Sequence, residues 1–296
     1  MTSTTKTLSI LLIVGWGLIA NAEDPADGKK VIAESVIFHI NVLKPLTESK
    51  TVLPLRKDGG LWIDLERKWV IVDGAVCLRE GPLEMFICPA QTKEHESVIT
   101  TPIDAESVHT SLLAIGAKTG SPVQFQPEYK RATGSVIDIV VVWVSENEKV
   151  TASLAQDWIR KGNTRKTMQY AWVFGGSGYW KNPNTNKTIY YGNDGSLVCL
   201  SNFPTATIDL PVESSNSDAA LLYYANTSEI APLENQVRIV LRNRPDVDAT
   251  KIPKVLGNGC KLLESVRDWA QEVGKIRIEL HRQFLFGAVF PTRLGR

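Results

Sequence analysis

The 296-residue sequence predicts an α+β fold built mainly on antiparallel sheet, with one or two short helices packed on it. Three observations carry this. From Thr51 onward, short apolar runs alternate with polar residues and are punctuated by Gly, Pro, Asn and Asp, the pattern of strands and turns. Residues 136–144 are apolar at almost every position: Val136, Val140, Val142 and Val144 on one alternating face, Ile137, Ile139, Val141 and Trp143 on the other. Such a strand is covered on both sides and belongs in the middle of a sheet. Between residues 102 and 117 the period changes to helical. Val108, Leu112 and Ile115 share a face, Asp104 is a suitable N-cap, and Gly116 suits the left-handed closing position.

The elements follow in order. The N-terminus carries Lys6, a thirteen-residue apolar run from Leu8 to Ala20, and Ala20-Asn21-Ala22 before two acids. This is the pattern of a secretory signal peptide spanning residues 1–22, and the run falls short of the about 20 residues that cross a membrane. The expected location is therefore outside the cytoplasm, periplasmic or extracellular, with no membrane span once the signal is cleaved. Residues 23–50 form a mixed N-terminal segment. A β-rich domain is expected over 51–245, and an extension over 246–296 holds an amphipathic helix with Leu262, Val266, Trp269 and Val273 on one stripe, then an apolar end.

Within the domain, LWIDLERKWVIV followed by Asp73-Gly74 predicts a hairpin whose second arm is AVCLRE, and Glu80-Gly81-Pro82 predicts the next turn before LEMFIC. Together these give a meander. Asn193-Asp194-Gly195 predicts a further hairpin. SSNSDAALLYYAN predicts a short helix, and QVRIVLR a strand.

Composition excludes several functions. The formal net charge is +1, and residues 1–22 contain Lys6 and no acid, so residues 23–296 are neutral. A neutral chain has no general electrostatic attraction for nucleic acid or an anionic membrane. Cys77, Cys88, Cys199 and Cys260 permit disulfides in an exported protein, and three full pairings remain open. The turn at Glu80-Gly81 would set Cys77 beside Glu84 rather than opposite Cys88. No C-x-x-C dithiol, iron–sulfur, haem c or nucleotide-binding motif is present, so the cofactor is unknown, with a single metal ion the one kind these residues allow.

The strongest local signal is CPAQTKEHES, residues 88–97. Cys88, His95 and Glu96 supply three of the ligands that zinc requires, with Cys77 or His109 as a fourth. The same Cys88 and His95 would serve a nucleophilic site if a third group, Asp157 or Asn202, oriented the base. The plainer reading makes Cys88 a small buried hydrophobe and the polar residues loop caps. In FGGSGYW, Ser177 sits between glycines, yet Tyr179 occupies the fifth position of the G-x-S-x-G elbow, so that motif is not met. A glycine-rich bend is expected there, with Ser177, Tyr179 and Trp180 as the ligand-facing alternative. Asp157 and Asn202 are expected to make local hydrogen bonds, with a ligand-facing role as the alternative.

VCLREGPLEMFICPAQTKEHESV, AQDWIR, WVFGGSGYW, LVCLSNFPTATIDLPVESS and VRIVLR, in one register over roughly residues 52–242, resemble the YdjY-domain family. The resemblance implies an exported bacterial protein of planctomycete-like type with one β-rich domain. It brings no established catalytic residues. Three functions remain: a non-enzymatic binding or interaction domain for an unknown protein or small molecule outside the cytoplasm, a metal-binding or redox accessory protein using the Cys88 loop, and a hydrolase or transferase with a Cys/His site. The absence of a complete catalytic signature favours the first.

Overall fold

The computed structural model describes residues 47, 50–147, 149–162, 164–214, 221–246 and 263–268, all within one unit, Val36–Arg296. The expected signal peptide, most of the N-terminal segment, the strand-like KIRIEL and the apolar chain end lie outside the described residues.

The main sheet is organised on two long strands. β6 (Val136–Val144) and β14 (Gln236–Arg244) pair antiparallel along almost their whole length. β14 also pairs with β3 (Trp69–Val76) on its other side. Outward from β3 come β5 (Ser97–Thr101), β4 (Met85–Pro89) and β12 (Val198–Cys199). Outward from β6 comes β7 (Val150–Leu154). β1 (Val52–Pro54) and β2 (Leu61–Asp64) extend from the first half of β3, and β9 (Trp172–Val173) pairs with the start of β6. β8 (Ile159–Lys161) pairs with β13 (Tyr223–Ala225), and β10 (Tyr179–Lys181) with β11 (Thr188–Tyr190), each pair forming a small sheet apart from the main one.

The pattern read from residues 136–144 is realised side chain by side chain. All nine are buried. Ile137, Ile139, Val141 and Trp143 join Val70, Val72, Val237, Ile239 and Leu241 in the larger core. Val140, Val142 and Val144 join Trp69, Ile71 and Val240 in a second core on the opposite face. Residues 263–268 are helical and cover that second face through Val266 and the half-buried Leu263. Full burial of one such aliphatic side chain contributes about 1.5–3 kcal/mol, so two covered faces hold β6 and β14 central.

The helix α1 (Ala105–Ala114) forms where its signals place it. Asp104 caps it, accepting from Ser107 N at 2.7 Å, and Gly116 closes it at φ +85°. Val108, Leu112 and Ile115 are fully buried in the larger core.

The meander is not formed. Asp73 and Gly74 lie inside β3 and make no turn. The hairpin joining β2 to β3 turns at Leu65–Lys68, where the Asp64 carboxylate accepts from Glu66 N and Arg67 N at 3.0 and 2.9 Å and Lys68 adopts φ +59°. Gly74 serves close approach instead. A Cβ there would stand 2.8 Å from the Thr100 carbonyl oxygen and 2.9 Å from Ile99 Cγ2. At this glycine β3 leaves its pairing with β2 and takes up β5. The chain does bend at Gly81, φ +102°, but β3 and β4 do not pair, because β5 lies between them, antiparallel to β3 and parallel to β4. The Asn193–Gly195 hairpin is likewise replaced. Tyr191–Asp194 is a 3-10 turn, Asn193 Oδ1 accepts from Glu106 N at 3.2 Å, and the strands on either side pair elsewhere. The helix expected over 214–226 gives way at its end to β13, and residues 215–220 lie outside the described residues.

Candidate functional site

The loop that joins β4 to β5 carries Cys88, His95 and Glu96, and the fold sends them to different places. Cys88 lies near the end of β4 and is fully buried. His95 is 76% exposed, and its Nε2 stands 3.9 Å from Glu96 Oε2. Glu96 is already matched, because Lys93 Nζ lies 3.1 Å from its Oε1 and 3.0 Å from Glu84 Oε2, above the Phe203 ring. Among the described residues no three His, Cys, Asp or Glu side chains group to hold a metal ion. The expected metal set of Cys88, His95 and Glu96 is therefore not assembled: the 3-10 turn Glu94–Glu96 points the imidazole to solvent while the strand end draws the thiol inward. The same separation leaves Cys88 and His95 without the hydrogen bond a nucleophile–base pair needs.

The neighbour of Cys88 is Cys77. Their side chains hydrogen-bond one another, and Cys77 Sγ also lies 3.1 Å from the Ser97 carbonyl oxygen. The expectation that the turn would keep Cys77 beside Glu84 fails because of strand order. With β5 inserted, the chain leaving β3 and the end of β4 are both packed against the same strand. Both thiols are free. Hydrogen bonds from Cys77, Ser97, Thr92 and the Lys93 backbone lower the Cys88 thiol to about 7, whereas Cys77, donating to Cys88 and half-buried near Glu94, is pushed far up. Cys199 is fully buried, and burial pushes its thiol well above the ordinary range.

The glycine-rich segment forms the expected bend. Gly176 adopts φ +89°, and a Cβ there would meet Thr119 Cγ2 at 2.7 Å. Ser177 is held at φ +52°, its hydroxyl turned inward to donate to the Thr205 carbonyl at 2.7 Å. Beside it Tyr190 donates to Gly176 O at 3.2 Å and meets His109 Nδ1 at 2.8 Å and Thr207 Oγ1 at 3.1 Å. With its one proton given to Gly176, the phenol accepts from His109, which places the imidazole proton on Nδ1. Burial pushes Tyr190 up to about 12 and moves His109 down, so both are neutral at pH 7. The sequence singled out His109 only as a fourth metal ligand, and Tyr190 not at all. Nothing local in KTIYYG announces that this tyrosine turns inward.

β10 and β11 carry the bend outward as an aromatic hairpin. Trp180 lies opposite Ile189 and Tyr179 opposite Tyr190. Tyr179, Trp180, Ile189 and Tyr191 are 54, 41, 43 and 38% exposed. Tyr179 and Trp180 thus face solvent, in the ligand-facing alternative, while Ser177 beneath them is engaged with backbone.

Asp157 and Asn202 turn to the protein. Asp157 sits in a 3-10 turn, its carbonyl accepting from Asn226 Nδ2 at 2.7 Å, and burial moves its carboxyl up. Asn202 is buried and satisfied: it donates to Asp209 Oδ1 and Leu210 O and accepts from Ser214 N. Asp209, which no motif singled out, has an Oδ2 with no hydrogen-bond partner, and burial pushes its carboxyl up to about 8. The unfolded chain releases that proton near 3.8. Between the two values the folded state binds the extra proton, so stability falls as pH rises from about 4 to about 8. Asp209→Asn is expected to flatten this decline in urea melts taken across the window. An unchanged slope would mean that Asp209 ionises normally.

A cleft of about 310 Å3 opens between the β1–β2 side of the sheet and β14, lined by Arg56, Asp58, Gly60, Asp73 and Arg238. Its arginines are matched, Arg56 to Asp58 at 2.6 Å and Arg238 to Asp73 at 2.7 Å.

Comparison with known families matches the YdjY domain over residues 61–242. The chain belongs to the YdjY-domain family. No curated protein matches it significantly. No solved structure does so either. No helix among the described residues is long and apolar enough to cross a membrane.

Proposed function

We propose that this chain is a non-enzymatic binding domain working outside the cytoplasm, with the β10–β11 hairpin as its contact surface. The observation that supports the reading is the gathering of Tyr179, Trp180, Ile189 and Tyr191 in solvent on and beside a two-stranded sheet apart from the main one. Exposed tryptophan and tyrosine give large contact area with little loss of side-chain freedom, and these residue types dominate binding hot spots. Placement outside the cytoplasm is supported by the apolar run ending at Ala20-Asn21-Ala22. A partner with flat apolar faces rimmed by hydroxyls, such as a chain of sugar rings, fits aromatic rings flanked by Lys181 and Asn182.

Titration with soluble oligosaccharides and aromatic peptides, followed by tryptophan emission, tests this. Trp180→Ala is expected to weaken binding by tenfold or more, about 1.4–2 kcal/mol. Leu53→Ala, at a separate exposed apolar position on β1, is expected to change nothing. Equal affinity of the Trp180 variant and the parent would remove the hairpin from the reading.

A further inference from the structure

We propose that Cys77 and Cys88 are a redox-active dithiol that closes to a disulfide when oxidised by a peroxide. The pair stands apart from the hairpin surface, and its residues are drawn together by topology rather than by a motif. Cys77 follows β3, Cys88 lies near the end of β4, and both pack on β5. The thiols hydrogen-bond each other. One is fully buried and the other half-buried, so a molecule as small as hydrogen peroxide reaches the pair from the Cys77 side.

The groups around Cys88 favour its ionised form. The Cys77 thiol, the Thr92 and Ser97 hydroxyls and the Lys93 backbone N–H all donate to it, while Glu94 is the nearby acid, acting on Cys77. The thiolate is the reactive form of cysteine. Cys88 sulfur attacks one peroxide oxygen, the O–O bond breaks, and the departing hydroxide takes a proton to leave as water. The Cys88 sulfenic acid is then attacked by the Cys77 sulfur. The S–S bond forms, the S–O bond breaks, and a second water leaves with the Cys77 proton. Two thiols are oxidised and one peroxide is reduced to two waters. The product ties the chain leaving β3 to β4 across β5. Cys199, sealed in a separate apolar cluster with Met85 and Ala206, is the internal control.

The test uses the folded full chain, reduced, freed of reductant and treated with stoichiometric hydrogen peroxide at pH 7. The chain is then unfolded, alkylated and digested with trypsin. Trypsin cuts after Arg79, so Cys77 and Cys88 leave on separate peptides that only the new bond joins. The expected result is that linked pair, with Cys199 alkylated, and its loss on adding dithiothreitol. Cys77→Ser is expected to trap Cys88 as a dimedone-reactive sulfenic acid, and Cys199→Ser to leave the link intact. Both cysteines remaining alkylated after peroxide, or Cys88 linked to another cysteine, would overturn the proposal. Because the decisive link is read in the parent chain, an unfolded variant does not obscure the outcome.

Discussion

Asp138→Ala is expected to unfold at much lower urea than the parent, with a loss of about 3–5 kcal/mol. Asp138 on β6 and Arg244 at the end of β14 form an ion pair at 2.8 Å in which both side chains are nearly sealed from water, at 3% and 4% exposure. The attraction between them is offset by the desolvation of both charges, so the intact pair adds little net stability. Removing one member is different, because the guanidinium stays buried without its partner. Asp246, which is 62% exposed, also contacts Arg244 at 3.1 Å and retains part of the compensation, which puts the expected loss at the low end. Replacing both residues, as Asp138→Leu with Arg244→Met, is expected to recover most of the loss. Urea melts of the single and double variants decide this. A single variant within about 1 kcal/mol of the parent, the yield of an exposed pair, would show that water reaches the site.

Trp172→Ala is expected to be as damaging, at about 3–5 kcal/mol, through the cavity it leaves. The indole is fully buried, stands 5.7 Å from the Phe86 ring between centroids, and donates from Nε1 to the Cys199 carbonyl at 2.8 Å. It connects β9, paired to β6, with β12 at the far edge of the sheet beyond β4. Trp172→Phe separates two contributions. It keeps most of the apolar volume but removes the indole donor from the buried carbonyl, for an expected loss of about 1–3 kcal/mol. Thermal and urea unfolding of the two variants should rank them in that order. Equal losses would mean that the hydrogen bond, rather than the volume, dominates.

What was legible in the sequence was local or periodic. The all-apolar run of residues 136–144 required cover on both faces, and the two cores on either side of β6 supply it. The Asp104 cap, the i, i+4, i+7 stripe and Gly116 required α1, since every group involved is supplied within one helix and its ends. Dipeptides that merely permit a turn carry less. Asp73-Gly74 permits a hairpin, but a glycine also permits strands to come close, and the contacts of Gly74 with Thr100 and Ile99 are invisible until β5 is in place.

The candidate sites divide in the same way. The aromatic residues of GYW could be read as a surface because a short strand rich in large side chains beside glycines has little of its own to bury them. The meeting of Cys77 with Cys88, of His109 with Tyr190, and the isolation of Asp209 could not be read. Each depends on neighbours chosen by strand order, and strand order is set by how whole faces bury together. The period of apolar residues along the chain is enough to say that residues 136–144 are a central strand and that residues 105–114 are a helix, because burial of one face or two is a property of each segment alone. The entry of β5 between β3 and β4 is of another kind. It is a matter of packing between distant segments, and it is what parts Cys88 from His95 and brings it to Cys77.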